Sequence, residues 1–341
     1  MRLLLRILLL AALLLGLRLG WAYLTEAPLR APEAPAQALV VPAGATAESI
    51  GRQLHELGLV RYPLVFRTLV LLRGQGSALK AGEYQLDGPL SLEQIADLIA
   101  RGEVARHEVT FPEGKVFEEM ADIADMRGIP AVEFLAAARD PSLVRDLDPL
   151  ATDLEGYLFP DTYDLPGGTN RGAVLVQHMV QRFRDVTTPL KADLAAQGLS
   201  LREVVTLASV VERETGRPEE RPRIAAVFRN RLLRKMPLQT DPTVIYALRK
   251  AGRWDGNIRK KDLDIDSPYN TYRRPGLPPG PIASPGREAI LAALHPAAAR
   301  DLYFVSRNDG SHQFSETLAE HERAVDRYQR SRAGRARNAP S

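Results

Sequence analysis

Hydrophobic residues lead the chain as one long run before they settle into shorter periods. From Ile7 to Leu24 the sequence is apolar except for Arg18, with Gly16 and Gly20 interrupting it, and these 18 residues suffice to cross a bilayer core. Arg2 and Arg6 precede the run, and Trp21 and Tyr23 sit at its far end, where amphipathic rings favour the interface. The pattern predicts a single-pass anchor in the inner (cytoplasmic) membrane, with the amino terminus inside and everything after it outside. A cleaved signal peptide is the competing reading, because Ala34-Pro35-Ala36 has the small-x-small form. That site lies about ten residues past the run, too far for such cleavage, so an uncleaved anchor is expected. Arg18 is tolerated if its long stem carries the charge toward the outer interface.

Past the run, Glu26 to Gln37 holds Pro28, Pro32 and Pro35 among alanines, a composition that stays extended and reads as a spacer. Leu39-Val40-Val41 then predicts a strand, followed by a helical pattern through Ile50, Leu54 and Leu57. A second helix is expected over Pro63–Leu72, a strand near Glu83-Tyr84-Gln85, and a third helix after Ser91, where Gln94 completes a capping box. Val109 to Gly114 reads as a strand ending in a turn, with helices after it. Up to about Gln329 helical patterns alternate with Pro- and Gly-rich loops and show no repeat period. The expected class is α+β: a small βα module, a connecting subdomain and a mainly helical domain.

One helical segment stands out. Ser200 and Glu203 form a capping box, and Gly216 suits a left-handed residue closing the helix. At about 100° per residue, Leu201, Val204, Val205, Leu207, Ala208, Val210 and Val211 cover more than half the circumference, leaving Arg202, Thr206, Ser209 and Arg213 on a narrow polar strip. Glu212 and Glu214 fall outside that strip and project into apolar company. Burial raises a carboxyl pKa, which suits a general acid near neutral pH. The alternative is that both pair with arginines of the next helix, such as Arg221, Arg223 or Arg229.

Composition narrows the chemistry. The 45 basic and 42 acidic side chains nearly cancel, which is no nucleic-acid footprint; Arg327, Arg330, Arg332, Arg335 and Arg337 at the end read as a solvated tail. With no cysteine, thiolate metal sites and thiol nucleophiles are excluded. The six histidines lack ligand spacing, so no metal is expected, and neither a Gly-x-Ser-x-Gly elbow nor a phosphate loop occurs. Carboxylate chemistry remains. Asp241-Pro242 reads as a helix start, with Asp241 as cap. Tyr269 and Tyr272 around Asn270 would suit a sugar site or simple packing. Eight of the twelve residues from Pro275 to Gly286 are Pro or Gly, compatible with a stiff groove wall or a rigid connector.

Several blocks resemble one family. Leu207-Ala208-Ser209-Val210-Val211-Glu212-Arg213-Glu214-Thr215, Leu238-Gln239-Thr240-Asp241-Pro242-Thr243-Val244-Ile245-Tyr246, Tyr269-Asn270-Thr271-Tyr272, the Gly276–Gly286 run and Leu154–Tyr163 are similar to the YceG/MltG-like endolytic transglycosylases. Lys80-Ala81-Gly82-Glu83-Tyr84 resembles that family's LysM-like part. The resemblance implies a transmembrane anchor (1–25), linker (26–37), LysM-like module (38–105), connecting subdomain (106–153), lysozyme-like catalytic domain (154–330) and basic tail (331–341). It implies that Glu214 is the catalytic acid and base, that Glu212 supports it, and that Gln239, Thr240, Asp241, Tyr269, Asn270, Thr271 and Tyr272 bind substrate. Peptidoglycan glycan strands are the implied substrate, cleaved to 1,6-anhydro ends without metal or organic cofactor, and peptidoglycan synthases are implied partners. The rivals are a hydrolase using Asp241 or Glu212 as second carboxylate, and a non-catalytic, membrane-anchored glycan-binding scaffold.

Overall fold

The protein is described from a computed structural model covering residues 2–29, 31, 35–104, 106–166 and 171–330. Pro32 and Ala34 of the spacer and the tail 331–341 lie outside the described residues. The chain divides into two units, Met1–Glu108 with Asp164–Arg171, and Val109–Tyr163 with Gly172–Ser341.

In the first unit the apolar run forms helix α1 (Arg2–Thr25), whose Leu4–Thr25 stretch has mean hydropathy 2.0 and is long and apolar enough to cross a membrane. Strand β1 (Gln37–Val41), helices α2 (Ala47–Glu56) and α3 (Pro63–Leu72), strand β2 (Gly82–Leu86) and helix α4 (Leu92–Arg101) follow. The two strands pair antiparallel with Leu39 opposite Tyr84, and alternation sends Leu39, Val41, Tyr84 and Leu86 inward onto Ile50, Leu54, Phe66, Leu69, Ile95 and Ile99. Thr46 and Ser49 form the capping box of α2, and Ser91 and Gln94 that of α4. Tyr84 is a core residue: its ring is buried and its hydroxyl donates to the Lys80 carbonyl at 2.7 Å. The Lys80–Tyr84 motif therefore serves as a turn into a strand.

Strands β3 (Arg106–Thr110) and β4 (Thr162–Pro166) form a two-stranded ribbon through which the chain leaves the first unit and returns. The second unit holds helices α5 (Phe117–Met126), α6 (Ala131–Ala138), α7 (Arg171–Thr187), α8 (Lys191–Gln197), α9 (Leu201–Glu214), α10 (Arg221–Leu233), α11 (Asp241–Lys250), α12 (Arg287–Leu294) and α13 (Leu318–Val325). It also holds a hairpin of β5 (Tyr303–Ser306) and β6 (His312–Ser315), unforeseen in the sequence reading although Asn308-Asp309-Gly310 is a turn signal. Residues 109–153 of the expected connecting subdomain fall in this unit. The amide of Gly114 donates to the Ser284 carbonyl and that of Ser284 to Lys115, both at 2.8 Å, while Arg249 pairs with Glu119 at 2.9 Å.

Candidate active site

Helix α9 is the axis of the site. The Ser200–Glu203 capping box starts it, and Val204 to Val211 are all buried where it packs against α10, α11 and α12. Two members of the polar strip, Thr206 and Ser209, are enclosed: Ser209 donates to the Thr206 carbonyl and accepts from the amide of Ile282 at 3.0 Å, while Arg213 stays exposed. The Pro/Gly-rich run from Pro275 to Gly286 braces α9, with Arg202 bridging Asp148 and the Pro279 carbonyl. Among the described residues it lines neither opening beside Glu214, although its Gly286 amide holds Glu212. Gly156, at φ +84, lets this brace approach, because a Cβ there would stand 2.3 Å from Pro281. The helix ends one residue earlier than expected: Thr215 is extended and its hydroxyl accepts from the Arg217 amide, so Gly216 is not a left-handed cap.

The two glutamates at this end have opposite surroundings. Glu212, its side chain 5% exposed, accepts from Arg221 at 2.6 Å and from the Gly286 amide at 3.0 Å. Arg221 also reaches Glu113 at 3.0 Å. Burial pushes the Glu212 carboxyl up, and the Gly286 amide and Arg221 pull against it. Among the described residues no arginine lies within ion-pair distance of Glu214. Its Oε2 accepts from the Thr240 hydroxyl at 2.6 Å, and Oε1 has no protein partner among the described residues. Burial again raises the carboxyl, Asp241 adds to the rise, and the Thr240 bond with the fields of His312 and Arg231 opposes it.

Glu214 lines two openings. One, of about 350 Å³, is bounded by Glu113, Gly114, Glu212 and Arg221; the other, of about 520 Å³, lies against Arg231, Gln239, Asp241, Tyr272, Phe304 and His312. A half-buried, uncharged-leaning carboxyl between two openings can give a proton to, and later take one from, a ligand lying across it.

The sequence-selected residues fall into two groups. Gln239, Thr240, Asp241 and Tyr272 gather at Glu214. Gln239 is exposed at φ +49, a strained backbone for a non-glycine residue. The cap of α11 is Thr240 and not Asp241, whose carboxylate turns aside to accept from the Tyr272 hydroxyl at 2.6 Å. Asn270 and Thr271 are buried behind this surface. The Asn270 side chain donates to the carbonyls of Leu263 and Ile265 at 2.8 Å each and accepts from the Tyr272 amide at 3.0 Å. Its amide is spent inside the loop, which corrects the expectation that it faces sugar hydroxyls. Thr271 accepts from the Thr240 amide at 3.2 Å and bonds Thr243 at 2.8 Å. Tyr269 packs on Tyr246, centroids 4.8 Å apart, away from the Glu214 openings.

Arg231, Phe304, Ser306, His312 and His321 complete the larger opening and were missed from sequence. His312 is oriented by Glu220, which accepts from its amide at 2.9 Å and faces its Nδ1 at 2.6 Å. A signal for Arg231 existed: it lies three, four and seven residues beyond Phe228, Val227 and Ile224, on the apolar face of α10.

Comparison with known proteins places the whole chain among relatives. A Bacillus subtilis protein named endolytic murein transglycosylase is 33% identical over 304 residues, spanning 84% of this chain and 83% of that protein. A Streptococcus pneumoniae D39 protein of the same name is 31% identical across 93% of this chain, which spans only 63% of that longer relative. The 2.6 Å crystal structure of a yceG-like protein from Listeria monocytogenes superposes with a TM-score of 0.58 at 32% identity, covering 85% of this chain and 99% of that one. The YceG-like family profile matches residues 39–327, and with these relatives it establishes that the chain belongs to the YceG-like family.

Proposed function

We propose that this protein is a membrane-anchored peptidoglycan lytic transglycosylase that cleaves between N-acetylmuramic acid and N-acetylglucosamine, with Glu214 as the one acid and base. The observation that carries the reading is Glu214 itself: a carboxyl raised by burial, with no arginine in ion-pair reach among the described residues, held on one oxygen by Thr240 and open on the other. With Thr240 donating to Oε2, the acidic proton belongs on Oε1. There it protonates the bridging oxygen as an oxocarbenium-like centre develops. The ionised carboxylate then takes the proton from the C6 hydroxyl of the muramic acid, whose oxygen closes onto C1 as a 1,6-anhydro ring. No water enters, so one carboxyl suffices. Glu212, bound by Arg221 and the Gly286 amide, supports by fixing the helix end. Gln239, Asp241 and Tyr272 are the substrate contacts of this reading, while Thr240, Asn270 and Thr271 position them and Tyr269 packs behind.

Endolytic action is carried over from the names of the relatives. The strand–helix–helix–strand order of β1 to β2 supports a LysM-like module, and a lysozyme-like catalytic fold and peptidoglycan synthases as partners belong to the same proposal. Helix α1 supports a single-pass anchor with the rest outside the inner membrane. Digestion of isolated glycan strands with full-length protein, followed by weighing the products, tests the reaction class: anhydro ends support it, and reducing ends move the enzyme to the hydrolases. Strands bound but uncut would leave a glycan-binding scaffold.

A further inference from the structure

Arg231 is a buried cation without a counter-ion. It is 8% exposed, yet its hydrogen bonds run only to carbonyls: Nε to Leu302 and Nη1 to Leu238, each at 2.7 Å, and Nη1 to Pro237 at 3.4 Å. Among the described residues no Asp or Glu lies within ion-pair distance of it, and its Nη2 has no protein partner. The other buried arginine, Arg221, has two carboxylates, Glu212 and Glu113. Removing a guanidinium from water without a carboxylate is costly, and such a site persists where a ligand supplies the missing charge. The carboxylate whose field reaches Arg231 is Glu214, which burial biases toward its neutral form.

A second unpartnered polar group stands beside it. The His321 Nδ1 is buried with no partner, its ring stacks on Tyr303 at 5.2 Å, and Arg231 stands over the same Tyr303 ring at 5.2 Å. Both residues line the opening that holds Glu214, and the segment Leu238–Thr240 ties Arg231 to Glu214, since Arg231 bonds the Leu238 carbonyl and Thr240 bonds Glu214.

We infer that Arg231, flanked by His321, is a carboxylate-binding subsite of this cleft, and that its ligand is a carboxylate carried by the glycan strand. The inference rests on the reading of Glu214 given above. Muramic acid carries a lactyl carboxyl, which is anionic where no peptide is attached and an amide where one is; attached stem peptides bring carboxylates of their own. The subsite would make cleavage depend on the state of those groups.

The test uses full-length protein in detergent and four strand preparations: lactyl carboxyls free, the same capped as neutral methylamides, stem peptides intact, and stem peptides with methylated carboxyls. Affinity is measured for the Glu214→Gln protein, and kcat/KM for the wild type. Neutralising the recognised carboxylate should weaken binding about tenfold or more and raise KM more than it lowers kcat, as expected for one charged hydrogen bond. Arg231→Gln should abolish the difference, and Arg231→Lys should retain part of it. A loss confined to the capped lactyl strands assigns the lactyl carboxyl; a loss confined to the methylated peptides assigns the peptide. If Arg231→Gln does not fold, the wild-type comparison decides alone. Equal affinities for charged and neutral strands in both pairs would overturn the subsite. Charge-dependent binding without any cleavage would keep it and overturn the reading of Glu214.

Discussion

The Thr240 hydroxyl donates to Oε2 of Glu214 across 2.6 Å, and the Thr240 amide is held in turn by the Thr271 hydroxyl at 3.2 Å. A donor to a carboxylate favours its charged form, so this bond opposes the rise that burial causes. Thr240→Val keeps the volume and removes the donor. The Glu214 carboxyl should then rise further, moving the alkaline limb of kcat/KM to higher pH, while lost orientation lowers the rate roughly 10- to 100-fold. Thr240→Ser should restore both. A pH–rate profile whose limb stays put would leave Thr240 as packing only.

Asn270 closes the loop behind the cleft. Asn270→Ala strands the carbonyls of Leu263 and Ile265 and the amide of Tyr272, at a cost of about 1–3 kcal/mol or more. Calorimetry should show a clear fall in Tm. An unchanged Tm with lost cleavage would return Asn270 to direct substrate contact.

A third raised carboxyl, after Glu212 and Glu214, lies away from the chemistry. Glu155 is 2% exposed, and among the described residues neither of its oxygens has a hydrogen bond of normal geometry. Burial, then the fields of Glu118 and Asp153, hold its carboxyl well above the usual range. The folded protein therefore keeps a proton that the unfolded chain releases. Below the ordinary value of 4.5 both states are protonated and nothing is lost; as pH rises above it, stability falls until Glu155 ionises in the folded state too. Glu155→Gln should flatten this fall, stabilising at neutral pH and not at acid pH. Denaturant titrations across pH check it, and a difference independent of pH would contradict it.

The anchor reading also has a direct check. Reporters fused at Gly44 should be active only outside the inner membrane, and a mature chain beginning near Gln37 would instead show cleavage.

Elements were legible in the sequence where a local rule sets them. The capping boxes at Ser91 and Ser200, the strand alternation at Leu39 and Tyr84 and the apolar run of α1 follow from spacing within one turn or one strand. Helix ends were less so, because Thr215 and Thr240 take extended backbone where Gly216 and Asp241 carry the stronger residue-type signal. Of the far wall of the cleft only the burial of Arg231, on the apolar face of α10, was legible. Arg231, Phe304, His312 and His321 meet Glu214 only through tertiary packing, and no local period encodes that. Asn270 misled for a related reason: a polar loop residue looks the same in sequence whether it faces solvent or holds carbonyls inside.

The central claim is that one carboxyl performs both proton transfers, and Glu214→Gln with Glu212→Gln as its control tests it most directly. Glutamine keeps the shape of glutamate but can neither protonate the leaving oxygen nor accept the C6 proton. General acid–base help is worth roughly 100- to 10,000-fold, so Glu214→Gln should abolish strand cleavage while folding and glycan binding persist. Glu212→Gln, which frees Arg221 from one of its two carboxylates, should cost stability more than rate. Mass spectrometry of digested strands reads both, with wild-type ends lighter than hydrolysed ends by one water. Near-normal production of anhydro ends by Glu214→Gln would contradict the account.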